Sequence, residues 1–211
     1  MKFKPIILGG YVNGYSLART FKETYNVNSF VCDYVKQISC YSVFCDFKLV
    51  SNPQINEKKF ITEMILLGNI IRKNGEIPIL LVTNDIWLIP MSKNKHKFND
   101  LFIYSFSDWN IIERLANKSM LYDYCDTIGA NYPRTVKCTS VNSDYNKLLT
   151  PLLVKPSNVT SFIKHFPRIK RNNIFYDYNE VKIFLNKIFN QGYEHDMIIQ
   201  EYIPGGPENL Y

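Results

Sequence analysis

Short, continuous apolar runs that alternate with helical stretches constrain the fold of this chain more than any other feature. Apolar side chains on consecutive positions are typical of parallel strands that are covered on both faces, whereas one-sided strands alternate in polarity. Helical spacing separates the runs, so the pattern predicts an α/β fold with a mostly parallel sheet. The predicted strands lie at residues 5–8, 30–32 and 79–82, and the predicted helices at 15–25 and 57–74.

The pattern changes beyond residue 105, where short helices and an extended connector come before the next strand. We therefore predict two domains, a Rossmann-like domain over 1–110 and a second, α+β domain over 111–211. The second domain is predicted to contain helices at 108–115, 117–127 and 179–190 and strands at 152–155, 174–176 and 197–202.

Composition limits the class of protein and the cellular compartment to be expected. The 211 residues are 46% hydrophobic and 21% charged, which is an ordinary globular composition and excludes a disordered chain. No apolar stretch approaches the roughly 20 residues of a membrane span, and the start lacks a signal-peptide core, so we expect a cytoplasmic protein. Five cysteines without a C-x-x-C pair predict reduced, buried or half-buried thiols rather than a zinc site.

The net charge of +6 could attract nucleic acid, an anionic membrane surface or a small anion. The basic residues are scattered except for a cluster at 164–171, which includes Lys170. One short cluster favours a phosphate or carboxylate ligand over a nucleic-acid groove, and a solvated loop explains it equally well. The aromatic residues follow core periodicities instead of interleaving with a basic stripe, which argues against nucleic-acid binding.

A glycine turn connects the first predicted strand to the first predicted helix. Gly9, Gly10 and Gly14 lie at this turn, and Asp33 follows the second strand. A dinucleotide-binding unit arranges backbone N–H groups and an acidic residue in a similar way. The spacing differs from G-x-G-x-x-G, so a tight strand-to-helix turn is the favoured interpretation and a dinucleotide site is the alternative.

Lys155 ends an apolar, strand-like run and is followed by a proline. An ammonium group at the mouth of a buried strand is poorly solvated and gains from an anionic partner such as a phosphate. The alternative is a lysine at a strand end that reaches solvent along its own stem. Lys118 lies at the start of a predicted helix and carries little information by itself.

The last twelve residues are predicted to continue a strand, which starts at 197 and ends at 202, into a Pro-Gly-Gly-Pro turn. An adenine ring requires an apolar slot with one backbone carbonyl and one backbone N–H at its edge, and an irregular hinge leaves such groups unpaired by the sheet. Glu201 precedes the turn and Glu208 follows it, so a carboxylate for ribose hydroxyls is available there. The alternative is a plain strand and turn with surface glutamates.

Taken in this order, the segments resemble the ATP-grasp superfamily of carboxylate–amine and carboxylate–thiol ligases, over most of the chain. Residues 1–110 resemble the Rossmann-like domain that precedes the ATP-grasp core. Residues 111–211 resemble an incomplete ATP-grasp domain, made of the lid subdomain and the adenine hinge strand. The opening Ile-Leu-Gly turn and Ala-Arg-x-Phe helix are most similar to the group of D-aspartate ligase and the carbamoyl-phosphate synthase large subunit. The matching segments lie at 6–19, 117–125, 129–135, 153–156 and 199–208.

The resemblance implies an ATP site and assigns its parts. The flap over the phosphates would be the loop at 164–171, although this flap is often glycine-rich in the family and 157–173 contains no glycine. By this resemblance, Lys118, Lys155 and Lys170 would contact the phosphates of ATP. The backbone of Glu201, Tyr202 and Ile203 would meet the adenine edge, and Glu208 would bind the ribose.

The resemblance also implies a reaction, in which ATP phosphorylates the carboxylate of an amino acid such as D-aspartate and an amine, for instance on a cell-wall precursor, displaces the phosphate. The Mg²⁺ ligands of the family lie well beyond the hinge, so we expect Mg²⁺ in the full-length enzyme and no turnover by this chain alone. Two further expectations are left open, that the protein forms a homodimer and that the ligase has a C-terminal half that this chain lacks. The alternatives are a non-catalytic nucleotide-binding or regulatory module and, less favoured, an NAD(P)-binding oxidoreductase.

Overall fold

The chain divides into two compact units, Met1–Ile112 and Glu113–Tyr211. A computed structural model describes residues 2–98 and 100–205. Within these ranges, no helix has both the length and the apolar character that a membrane span requires.

The first unit is built on a parallel sheet of five strands in the order β3-β2-β1-β4-β5. The mostly parallel sheet predicted from the sequence is therefore confirmed, and its strand order reverses between β1 and β4. The strands are β1 (Phe3–Leu8), β2 (Ser29–Asp33), β3 (Cys45–Leu49), β4 (Ile77–Val82) and β5 (Ile103–Tyr104). The helices that follow them in this part of the chain are α1 (Val12–Tyr25), α2 (Glu57–Lys73), α3 (Asp85–Lys93) and α4 (Trp109–Ala116).

Burial on both faces explains the apolar run of β1. Ile6 and Leu8 join a core cluster that contains Phe60 of α2, while Ile7 packs on the opposite face with Ala18 of α1. All five side chains are fully buried. A strand that is covered on both faces has no position for a polar side chain, which is why this segment does not alternate in polarity.

The second unit contains an antiparallel sheet of four strands in the order β6-β9-β7-β8. The strands are β6 (Thr135–Cys138), β7 (Leu152–Pro156), β8 (Asn173–Phe175) and β9 (Met197–Glu201). The helices of this unit are α5 (Lys118–Ile128), α6 (Val159–His165) and α7 (Tyr178–Phe189).

One face of this second sheet carries the core of the unit. Val154 of β7 and Ile199 of β9 are register partners, and both pack in a cluster with Phe162 of α6 and Leu185 of α7. Side chains alternate between the two faces of a strand, so Lys155 and Gln200, each one position further along its strand, lie on the face away from this core. That second face carries the polar residues that form the candidate site.

Two of the five cysteines are buried, Cys32 in β2 and Cys138 in β6. Burial disfavours the thiolate and raises the pKa of Cys32 to about 12 and the pKa of Cys138 to about 11. Both thiols are therefore neutral, unreactive core groups at physiological pH.

Candidate functional site

A half-buried lysine lies at the centre of the polar face of the second sheet. The Nζ atom of Lys155 donates a hydrogen bond to Oε1 of Gln200 at 2.8 Å. The same ammonium lies 5.6 Å from the centroid of the Tyr122 ring, which is within the range of a cation–π contact. Gln200 and Tyr122 are both buried, so this lysine is held in place by neutral partners.

Helix α5 begins beside the end of β7. Asn117 caps the helix by accepting hydrogen bonds from the N–H groups of Ser119 and Met120, and the backbone N–H of Lys118 donates to the carbonyl of Ser157 at 3.4 Å. Lys118 and Tyr122 are four residues apart and therefore lie on one face of the helix. Because that tyrosine contacts the side chain of Lys155, the structure brings the two predicted phosphate-binding lysines to neighbouring elements.

A second tyrosine supports the first. The rings of Tyr122 and Tyr132 stack with centroids 4.9 Å apart, and the Tyr132 hydroxyl donates to Asp126 at 2.7 Å. This hydrogen bond raises the pKa of Tyr132 to about 12, so the phenol stays neutral through the physiological range. The left-handed conformation of Gly129, with φ +67°, ends α5 and allows the chain to return toward the sheet.

The predicted adenine hinge lies at the end of β9. The N–H of Glu201 donates to the carbonyl of Arg134 and the N–H of Tyr202 to that of Pro151, at 3.0 and 2.9 Å. Ile203 lies beyond the strand with 67% of its side chain exposed, and in the part of the chain that the structure describes its N–H forms no hydrogen bond. Glu208, the predicted ribose ligand, lies outside the described residues.

The carboxylate of Glu201 has a structural partner. Its Oε1 atom accepts a hydrogen bond from the backbone N–H of Leu149 at 2.9 Å. This bond fastens the end of β9 to the loop that precedes β7. The side chain of Glu201 is thereby engaged within the unit.

The basic segment at 164–171, predicted to be a flap, differs from the prediction at its first two residues. Lys164 and His165 are the last residues of α6, and Phe162 of this helix is buried in the core. Lys170 lies in the loop that follows, is exposed, and accepts a hydrogen bond from Asn173 through its carbonyl. The prediction of one continuous loop was wrong because a single buried aromatic residue anchors a short helix there.

The glycine turn of the first unit is closed by an aspartate. Oδ2 of Asp33 accepts a hydrogen bond from the N–H of Gly10 at 2.7 Å, and Oδ1 accepts from the N–H groups of Tyr34 and Val35. The aspartate is 5% exposed. A carboxylate that already holds three backbone N–H groups has little capacity for ribose hydroxyls, so the turn fits the structural interpretation better than the dinucleotide site.

Replacing Asp33 with asparagine is expected to lower the free energy of unfolding of the first unit by about 2 kcal/mol, because an amide NH₂ would face a buried N–H donor. Urea denaturation followed by circular dichroism measures this loss. The matched control is Asp100→Asn, which makes the same change at an exposed position. Equal stability of the two variants would show that the carboxylate is not needed at the turn.

No metal site is evident within residues 2–98 and 100–205, where no group of three or more histidine, cysteine or acidic side chains is close enough to share an ion. The candidate site is cationic and aromatic in character, because Lys155 lies over the Tyr122 ring and that ring stacks on Tyr132. Tyr122, Thr135 and Gln200 lie within the segments that resemble the ATP-grasp motifs, and the sequence pattern assigns none of them a role. Their contacts with one another and with Lys155 depend on strand register and helix placement, which the sequence pattern did not provide.

No family model matches the chain. In sequence it is 27% identical over 219 residues to a D-aspartate ligase of Enterococcus faecium, a match that covers 99% of the chain and 52% of the relative. The chain thus spans about half the length of the curated relative it matches.

Solved structures share the fold of both units. An L-amino acid ligase of Bacillus licheniformis matches with a TM-score of 0.66 and 13% identity over 97% of this chain and 45% of that one. A D-alanine–D-alanine ligase of Bacillus anthracis, in a complex with ATP, matches with a TM-score of 0.54 and 17% identity over 97% and 60%.

Fold and sequence together match the N-terminal part of ATP-grasp ligases, the superfamily that the motifs indicated. The relative matched in sequence is a D-aspartate ligase.

Proposed function

We propose that this chain is the ATP-binding portion of an ATP-dependent carboxylate–amine ligase that works through an acyl phosphate. The amino-acid substrate we propose is D-aspartate or a close analogue, because the sequence relative is a D-aspartate ligase that the chain matches over 99% of its own length. The amine acceptor we propose is a cell-wall precursor.

The observation that carries the proposal is the environment of Lys155. Its ammonium has three donor protons, and within the described ranges its hydrogen-bond acceptor is the neutral Oε1 of Gln200. No carboxylate in those ranges forms an ion pair with it. A half-buried cation whose hydrogen-bond acceptor among the described residues is a neutral amide is suited to a phosphate oxygen, with which charge-assisted hydrogen bonds are strong.

The other predicted contacts are proposed on the same basis. Lys118 follows the N-cap of α5, beside the end of β7, and supplies a second cation for the phosphates. Lys170 lies on an exposed loop of the same unit and supplies a third. The N–H of Ile203 and the carbonyl of Glu201, with Tyr202 between them, would meet the adenine edge, and Glu208 would hold the ribose.

The proposed chemistry has two steps. An oxygen of the substrate carboxylate attacks the γ-phosphorus of ATP, the bond from that phosphorus to the β,γ-bridging oxygen breaks, and ADP leaves with the electron pair. The amine then attacks the carbonyl carbon of the acyl phosphate, loses a proton and expels phosphate. The lysines stabilise these steps by offsetting negative charge on the phosphate oxygens, which is the main task of a protein in phosphoryl transfer.

Mg²⁺, which would neutralise phosphate charge in the full-length enzyme, has no cluster of ligands among the described residues. We propose that the 211-residue chain alone binds nucleotide without turnover, and a phosphate-release assay with D-aspartate and a panel of other amino acids tests this. Robust phosphate release by the chain alone would refute that part of the proposal.

Isothermal titration calorimetry of the 211-residue chain provides the direct test of the ATP site. We expect saturable binding of ATP and no saturable binding of NAD⁺ at the same concentration, because the carboxylate of Asp33 is already engaged by the glycine turn. The opposite preference would favour the dinucleotide alternative and overturn the proposal. Tight ATP binding by a full-length protein that releases no phosphate with any amino acid would instead favour a non-catalytic regulatory module.

A further inference from the structure

The amide of Gln200 connects three other side chains around the polar face of the second sheet. Its Nε2 atom donates to the Tyr122 hydroxyl at 3.0 Å and to Oγ1 of Thr135 at 2.9 Å, while its Oε1 accepts from Lys155 at 2.8 Å. The glutamine is 5% exposed. Every proton of the amide group therefore has a protein partner, as a buried polar group requires.

The orientation of this amide is fixed by the partners themselves. The Thr135 hydroxyl donates its single proton to the carbonyl of Pro133 at 2.6 Å, so toward Gln200 it can only accept. Lysine ammonium can only donate. The amide nitrogen must therefore face Thr135 and the amide oxygen must face Lys155, because a flipped amide would lose both hydrogen bonds.

A neutral partner at this position has a specific consequence for the cation. A carboxylate in the same place would form an ion pair with Lys155 and place negative charge beside any bound phosphate. The amide oxygen instead fixes the direction of the lysine side chain and leaves its net charge uncompensated. The cation–π contact with Tyr122 adds a second neutral constraint on the same ammonium.

We propose that Gln200 is a positioning residue, which aims the ammonium of Lys155 at the phosphates of the nucleotide while keeping its surroundings neutral. This inference rests on the proposed ATP-binding function. Gln200 itself does not touch the nucleotide in this proposal, and its effect is transmitted through Lys155.

The test is the substitution Gln200→Glu, assayed for both ATP and adenosine. One carboxylate oxygen can accept from Lys155 and the other from the Tyr122 hydroxyl, whereas the hydrogen bond to Thr135 is lost because both oxygens there are acceptors. We expect ATP affinity to fall about tenfold, because the new negative charge pairs with the lysine and repels phosphate. Adenosine affinity is expected to stay within about twofold, because adenosine carries no phosphate.

The matched control is Gln191→Glu, which adds the same charge at an exposed position of the same unit. It is expected to bind both ligands as the unchanged chain does. Calorimetry measures ATP binding, ligand-observed NMR titration measures adenosine binding, and the thermal unfolding midpoint shows whether each variant is folded. If Gln200→Glu does not fold, Gln200→Met, of similar volume and neutral, replaces it and is expected to lower ATP affinity by a smaller factor and to spare adenosine, because Lys155 loses the hydrogen bond that directs it.

The outcomes are distinguishable. A selective loss of ATP affinity supports the inference. Equal losses for ATP and adenosine would indicate a merely structural glutamine, and unchanged ATP affinity would indicate no role at the site, so either result overturns the inference and leaves the proposed function standing. Absence of ATP binding by the unchanged chain would overturn both.

Discussion

Replacing Lys155 with methionine is expected to weaken ATP binding by about ten- to a hundredfold and to leave adenosine binding within about twofold. The methionine keeps most of the apolar stem and removes the ammonium. A hydrogen bond to a charged group contributes roughly 1.5–3 kcal/mol, and about 1.4 kcal/mol corresponds to a factor of ten in affinity. Calorimetry with ATP and ligand-observed NMR with adenosine measure the two affinities on the same protein.

The stability of this variant separates a binding effect from a folding effect. Removing Lys155 leaves Oε1 of the buried Gln200 without its donor, so we expect the free energy of unfolding to fall by about 1–2 kcal/mol while the chain stays folded. The matched control is Lys182→Met, at an exposed position on α7. If Lys155→Met bound ATP as tightly as this control, the lysine would not contact phosphate and the proposed site would be wrong.

Replacing Gly14 with alanine is expected to destabilise the first unit by about 3 kcal/mol, at the upper end of the usual range for overpacking. Gly14 lies inside α1, where alanine is intrinsically favoured over glycine by about 1 kcal/mol. A Cβ atom at this position would lie 1.8 Å from the carbonyl oxygen of Gly9. Neither the helix start nor the turn can move freely, so the steric clash outweighs the gain in helix propensity.

Gly75→Ala is the matched control for this second prediction. Gly75 has a positive φ of +75°, and a Cβ there would have no neighbour within 4 Å, so only backbone strain of about 1 kcal/mol is expected. Urea denaturation measures the free energy of unfolding of both variants. Gly14→Ala reports the cost of a steric clash, and Gly75→Ala reports the cost of backbone strain. A Gly14→Ala variant as stable as the unchanged chain would mean that the turn is looser than the structure indicates.

Much of the fold could be predicted because local signals coincide with burial. The runs of β1 and β4 are apolar on consecutive residues, and Asn117 and Gly129 mark the two ends of α5 by cap chemistry that is local to the chain. Such signals require no knowledge of distant contacts. The same holds for α7, whose apolar stripe faces the core of its unit.

Other elements were missed because distant contacts stabilise them. The strand β3 carries alternating polar residues and lies at the edge of the sheet, where it forms only through its pairing with β2. Helix α6 spans just 7 residues and depends on Phe162, which is buried among residues far away in sequence. Elements of this length have weak intrinsic preferences, and tertiary packing decides their structure.

The sequence indicated the charged residues of the candidate site but not the neutral residues that hold them in position. Lys155 could be chosen because an ammonium at the end of an apolar run is unusual. The role of Gln200 could not be inferred, since its partners Tyr122 and Thr135 lie 78 and 65 residues away along the chain. Asp33 shows the converse, because its spacing from the glycines suited a ligand role and its contacts revealed a structural one.

The alternation of side chains along β7 limits how this segment can change during evolution. An added or deleted residue between Leu152 and Lys155 would turn the ammonium toward Phe162 and the interior of the unit, and would turn Val154 outward. Length differences among homologues should therefore accumulate in the connection between β6 and β7, whereas the five positions of β7 itself should keep a constant length.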